Sequence, residues 1–141
     1  MGERGRLLGI DYGERRIGLA ISDPTGTIAS PVGAIVGRAG KRPPIAEIIR
    51  RAESLEARGF VIGLPLDGEG DDTPRSMEVR AIAREIERRT GLGVELVDER
   101  YTTAAALRSI RDMGGSTRGR KEDVDALAAC VLLQQVLNRA S

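Results

Sequence analysis

Three acidic residues sit where apolar segments of this chain are interrupted: Asp11 after Leu7–Ile10, Glu99 after the run that opens at Val94, and Asp125 inside Val124–Leu133. An ionised carboxylate among apolar neighbours is costly unless a cation or a metal compensates it. Two carboxylates about 4 Å apart repel by roughly 4 kcal/mol at an effective dielectric near 20, so a cluster stays ionised only around cations. The chain has no His and a single Cys, Cys130. A Ser-His-Asp triad, an imidazole base and a thiolate or imidazole metal site are therefore excluded. The ions that suit the remaining donors are hard and oxygen-seeking, Mg2+ or Mn2+. Two such ions would activate a water and clamp a scissile phosphate, with Asp11 bridging both, Glu99 holding one and orienting the water, and Asp125 completing the other.

Each acid also has a plainer explanation. Asp11 could be a turn acid that accepts backbone N–H bonds, and Glu99 a surface ion-pair partner of Arg100 or another cation. Asp125 could simply favour the dipole of a helix capped by Asp123, an effect of roughly 0.3 to 1 kcal/mol. The three together, each at the mouth of a buried segment, argue for one site. Strand alternation sends Asp98 and Glu99 to opposite faces, so one of the two points at it.

The net charge is +1, which is no basic footprint, yet 20 of the 22 cations are Arg. Genomic composition explains an Arg excess as well as phosphate binding does. Their placement says more: Arg15 and Arg16 follow the first acid, Arg100 follows Glu99, and Arg118, Arg120 and Lys121 precede Asp125. These six are the candidate phosphate contacts. Tyr12, Tyr101 and Phe60 are the only aromatics, too few for a base-stacking platform. A nucleic-acid ligand would be read by backbone and shape, which suits structured RNA or branched DNA.

The elements that must position these residues follow from periodicity. The runs 7–10 and 17–21, joined through Asp11-Tyr12-Gly13-Glu14, predict a hairpin, and 27–36 a third strand that Pro31 marks as an edge or a bulge. A helix is predicted over 43–58 with Gly59 as its stop, a strand over 60–64, a helix over 74–89, a strand over 94–97 parallel to the first, and helices over 102–112 and 123–138. Segments 68–74 and 113–121 are the candidate mobile loops. An antiparallel three-strand meander followed by alternating helices and strands gives an α/β fold, a mixed five-stranded sheet with helices on both faces. At 141 residues the chain suits a single domain over 1–141. Cys130, in an apolar run, reads as a buried small hydrophobe in a reducing compartment. No apolar run approaches the roughly 20 residues of a membrane span, and a cytoplasmic protein is expected.

The blocks LLGIDYGERRIGLAISD (7–23), VIGLPLDGEG (61–70), VELVDERYTT (94–103) and KEDVDALAACVLL (121–133) resemble the YqgF (RuvX) family, in order and over nearly the whole chain. The resemblance implies an RNase H-like fold related to Holliday junction resolvases and a nuclease acting in maturation of pre-16S rRNA, hence in ribosome biogenesis. Carried over by motif, the family's acids fall on Asp11, Glu99 and Asp125, the positions already chosen by burial. Asp123 has no counterpart in the pattern, and Gly63, Leu64 and Pro65 are expected to shape a loop over the site.

Rival readings are a Holliday junction resolvase and a non-catalytic module that binds nucleic acid or the ribosome-assembly or transcription machinery. An actin-like ATPase shares the Asp-Tyr-Gly turn but needs two such domains. A homodimer would suit a two-fold junction, though nothing in the sequence demands one.

Overall fold

The computed structural model describes residues 5–13, 15–36, 42–100, 102–112 and 121–139, and within these the side chains of 108–112 and 121–125 fall outside the description. Five strands form one sheet: β1 (Arg6–Tyr12), β2 (Arg16–Ser22), β3 (Ala29–Val36), β4 (Ala57–Leu64) and β5 (Val94–Asp98), in the order β3-β2-β1-β4-β5. The first three strands make the expected antiparallel meander, and β4 and β5 add in parallel beside β1. Pro31 lies on β3, at the edge, where its missing N–H interrupts no interior ladder.

Strand alternation sorts the side chains onto two unlike faces. Leu8, Ile10, Ile17, Leu19, Phe60 and Ile62 form a large apolar floor that takes α1 (Ile45–Ser54) and α2 (Pro74–Thr90). The other face carries small residues, Gly9, Gly18, Ala20, Val61 and Gly63, and it receives α4 (Lys121–Arg139), whose packing side is itself rich in Ala. Small residues on both partners bring the helix down onto the strand: a Cβ built on Gly9 would stand 2.9 Å from Leu133 Cβ and 3.2 Å from the Ala129 carbonyl oxygen. Alpha-helix α3 (Thr103–Asp112) packs against α4.

Element ends are set by local chemistry. Thr73 caps α2 reciprocally with Ser76, Pro74 follows at the first turn, and Gly91 ends the helix at φ 72°. The first helix is shorter than its periodicity suggests. It stops at Ser54, the chain turns through Glu56 at φ 59°, and β4 begins at Ala57, paired with Arg6. Gly59 is thus no helix stop. It lies inside β4, where a Cβ would meet Leu7 Cδ2 at 2.9 Å. Segment 68–74 is a hydrogen-bonded turn: Asp67 accepts the N–H groups of Glu69 and Asp71 at 2.9 Å each. Residues 113–120 lie outside the described ones. Cys130 is half-buried rather than buried, its thiol 3.5 Å from the Ala29 carbonyl, and burial pushes its pKa up.

Candidate active site

Asp11 does not close β1 before a turn. It sits within the strand, opposite Gly18 of β2, with its side chain on the face that α4 covers, and it is fully buried. Asp11 is therefore a strand residue and not a turn acid. On the other side of β1 the parallel register sets Gly9 against Val61 and Ile10 against Ile62, so its next step brings Asp11 beside Gly63.

Glu99 follows the last residue of β5 and is 1% exposed. Its carboxylate turns inward over Gly63, where a Cβ would lie 2.7 Å from Oε1 and 3.0 Å from Oε2. Gly63 is thus a floor rather than part of a covering loop, and Leu64 likewise remains in β4. Alternation separates the neighbouring acids as expected: Asp98 faces solvent, and the Arg100 guanidinium holds its carboxyl below the usual range. Arg100 is the ion-pair partner of Asp98, and Glu99, being buried, is not a surface residue.

Asp125 belongs to α4. That helix backs onto Gly9 at Ala129 and reaches Ala29 and Thr27 at Gln134, which accepts from the Ala29 N–H at 2.9 Å and donates to the Thr27 carbonyl at 2.9 Å. Because Ala29 pairs with Ser22, at the foot of β1, α4 runs opposite to β1. Its first turns, with Asp123 and Asp125, start at the end of the sheet where Asp11 and Glu99 lie. The side chains of both acids lie outside the described residues, as do Arg118 and Arg120 and the side chain of Lys121. Since α4 begins at Lys121, Asp123 lies in its first turn and not at the capping position. Arg15 is exposed in the β1–β2 hairpin, and half-buried Arg16 opens β2.

Two buried carboxylates therefore converge at the carboxyl edge of the parallel strands, the edge at which open α/β sheets bind ligands. Among the described residues no group of three or more His, Cys, Asp or Glu side chains is assembled as a metal site. The donors present are carboxylate oxygens, and this set fits a hard divalent cation.

Sequence reasoning missed the groups that frame Glu99. The Asp98 carboxylate accepts the Arg100 N–H at 3.0 Å, while the Thr102 hydroxyl donates to the Glu99 carbonyl and accepts the Ala105 N–H at 3.2 Å, opening α3. Thr at that offset before an apolar helix is a capping signal that was available. On the opposite face Tyr12 donates to Glu78 at 2.8 Å, and Arg75 bonds the Tyr12 carbonyl at 3.3 Å. No sequence pattern announces that link, because it joins positions far apart in the chain.

A mixed five-stranded sheet, helices on both faces and buried acids at one edge define the class: this is an RNase H-like α/β protein. Its fold is shared with Thermus thermophilus RuvC, solved in complex with a Holliday junction substrate, at TM-score 0.56 and 14% identity over 97% of this chain and 96% of that one. Fowlpox virus resolvase, solved with Holliday junction DNA, gives TM-score 0.53 at 8% identity over 94% and 98%. More specifically, the family model described as "RuvX: Holliday junction resolvase" matches residues 5–139, and the chain belongs to that family. Similar proteins include a "Putative pre-16S rRNA nuclease" of Rickettsia bellii, 39% identical over 94% of this chain and 85% of its own. One of the same name from Maridesulfovibrio salexigens is 38% identical over 96% of this chain and 99% of its own. The family expected from the motif blocks is the family found. No helix among the described residues is long and apolar enough to cross a membrane.

Proposed function

We propose that this chain is a divalent-metal-dependent endonuclease that hydrolyses phosphodiesters of structured RNA and trims the 5' end of pre-16S rRNA in the cytoplasm. The observation that carries the reading is the convergence of Asp11 and Glu99, both buried, on one face of the sheet at its carboxyl edge. Burying two carboxylates side by side costs desolvation, and sites where such groups cluster are candidates for chemistry. The names of the relatives supply the substrate class.

Asp11, Glu99 and Asp125 would hold Mg2+ or Mn2+. When bound, such ions supply positive charge against the scissile phosphate and lower the barrier to attack by water. The chain's own groups do the rest. Asp11 is held in β1 by its pairing with Gly18 of β2 and is fully buried, so its carboxylate needs little reorganisation. Glu99, seated over Gly63, accepts a hydrogen bond from the attacking water and orients it. Arg15, Arg16, Arg118, Arg120 and Lys121 contact substrate phosphates.

The test incubates the purified protein and its Asp11→Asn, Glu99→Gln and Asp125→Asn variants with precursor rRNA and with four-way DNA junctions in Mn2+, mapping the products. Cleavage of the precursor by the parent and its loss in all three variants is the expected result. A preference for junction DNA replaces the RNA reading by that of a resolvase, and an Asp11→Asn variant as fast as the parent removes the assignment.

A further inference from the structure

The turn after β4 and the end of β5 meet on one guanidinium. Arg100 Nε donates to Asp98 Oδ1 at 3.1 Å and Oδ2 at 3.0 Å, Nη2 donates to Asp98 Oδ2 at 2.9 Å, and Nη1 reaches the Gly68 carbonyl at 3.3 Å. The guanidinium also lies against Gly70, where a Cβ would stand 3.1 Å from Nη1 and 3.3 Å from both Cζ and Nη2. Gly70 adopts φ 89°, a conformation that side chains rarely take. Asp67 folds the turn that presents it, accepting the Gly70 N–H on its carbonyl at 3.0 Å and two further N–H groups on its carboxylate. A left-handed glycine and an acid-centred turn thus build a seat for Arg100 across 30 residues of sequence.

Between Asp98 and Arg100 stands Glu99. The two flanking side chains are locked to each other and to the 67–71 turn, while Thr102 holds the Glu99 carbonyl from the other side. We propose that Arg100 is a positioning residue: its guanidinium clamps the 67–71 turn to the end of β5 and so fixes Glu99 at the depth where its carboxylate lies over Gly63. A guanidinium carries its donors in a rigid fork, and here that fork is aimed at the protein's own Asp98 and Gly68, which is the geometry of a brace and not of a phosphate contact. The proposal rests on the reading of Glu99 as an active-site carboxylate.

The experiment compares parent, Arg100→Ala, Arg100→Lys and Gly70→Ala for cleavage of precursor rRNA in Mn2+. Binding of the same RNA is measured over a salt series, and hydrogen exchange of the 67–71 amides is followed in all four proteins. A brace predicts a kcat lower by roughly 10- to 100-fold, the range for groups that orient metal ligands, with KM and the salt slope of binding unchanged. It also predicts no rescue by Lys, faster exchange at Glu69, Gly70 and Asp71, and a similar defect in Gly70→Ala. A phosphate contact predicts the reverse: weaker binding, a salt slope smaller by about 0.7 to 0.9, and rescue by Lys. That outcome overturns the proposal, and so does unchanged exchange in Arg100→Ala. If Glu99→Gln itself cleaves normally, the active-site reading falls, whereas the exchange data still decide whether the clamp exists.

Discussion

The carboxylate of Glu99 occupies the space that a side chain at residue 63 would fill: Oε1 lies 2.7 Å from where a Cβ on Gly63 would stand. Gly63 belongs to β4 and Glu99 follows β5, so a strand and its neighbour's end are fitted to each other at the site. Gly63→Ala must displace the end of a flexible side chain rather than backbone. The expected result is a modest stability loss, at most the roughly 1 to 3 kcal/mol of overpacking, together with a loss of cleavage of the order of 100-fold, since misplacing a catalytic group by about 1 Å costs that much. Thermal melting alongside a cleavage assay checks it, and a fully active Gly63→Ala variant contradicts the seat.

Divalent ions should stabilise the folded chain. Binding at a free concentration 100 times Kd contributes about 2.7 kcal/mol, or roughly 5 to 10 °C for a domain of this size. Titrating Mn2+ or Mg2+ while following the melt should show this gain in the parent. Asp11→Asn should lose it while starting from equal or higher stability, because the substitution removes one of the buried charges. An identical gain in both proteins places any bound ion elsewhere.

Gly9 sets the distance between β1 and α4. Replacing it by Ala removes backbone freedom from the unfolded chain, which favours folding by about 0.4 to 1 kcal/mol. The new Cβ, however, would stand 2.9 Å from Leu133 Cβ and 3.2 Å from the Ala129 carbonyl, neither of which is a flexible tip. The clash should win, leaving a net loss of about 1 to 3 kcal/mol in urea unfolding. A stabilised Gly9→Ala variant means that α4 does not pack as described.

Tyr12 has its phenol pushed up to about 12, first by burial and then by the hydrogen bond and the negative charge of Glu78, with Arg75 opposing. An unfolded Tyr ionises near 10. The contribution of Tyr12 to stability is therefore fully present below pH about 10 and disappears as pH rises through about 12. Absorbance titration of the phenolates should show a late component that Tyr12→Phe removes, and this variant should lose less stability than the parent between those two pH values. A parent with no component above the ordinary range refutes the shift.

Much of the fold is legible in local sequence because it depends on local physics. The hairpin, the edge position of Pro31, the boundaries of α2 and the parallel β5 follow from alternation, capping and turn chemistry. The end of α1 differs from its periodicity because the apolar spacing continues through Leu55 while β4, competing for the chain from Ala57, pairs with Arg6 across a long separation. Composition marks loop 68–74 as a candidate mobile loop, whereas its hydrogen bonds to Asp67 and to the distant Arg100 are visible only in the fold.

For the site, the sequence alone points to Asp11, to Asp125 and to the Asp98-Glu99 pair, since a charge interrupting an apolar run is conspicuous wherever the chain later goes. It also rules out imidazole and paired thiolates as ligands, because His is absent and Cys occurs once. Only the tertiary structure decided that Glu99 and not Asp98 turns inward, that Gly63 is the floor beneath it, and that Arg100 faces Asp98 and the 67–71 turn. Those are contacts between residues far apart along the chain. Their geometry is fixed by strand register and by how closely small residues let α4 and the sheet approach, quantities that no single segment encodes.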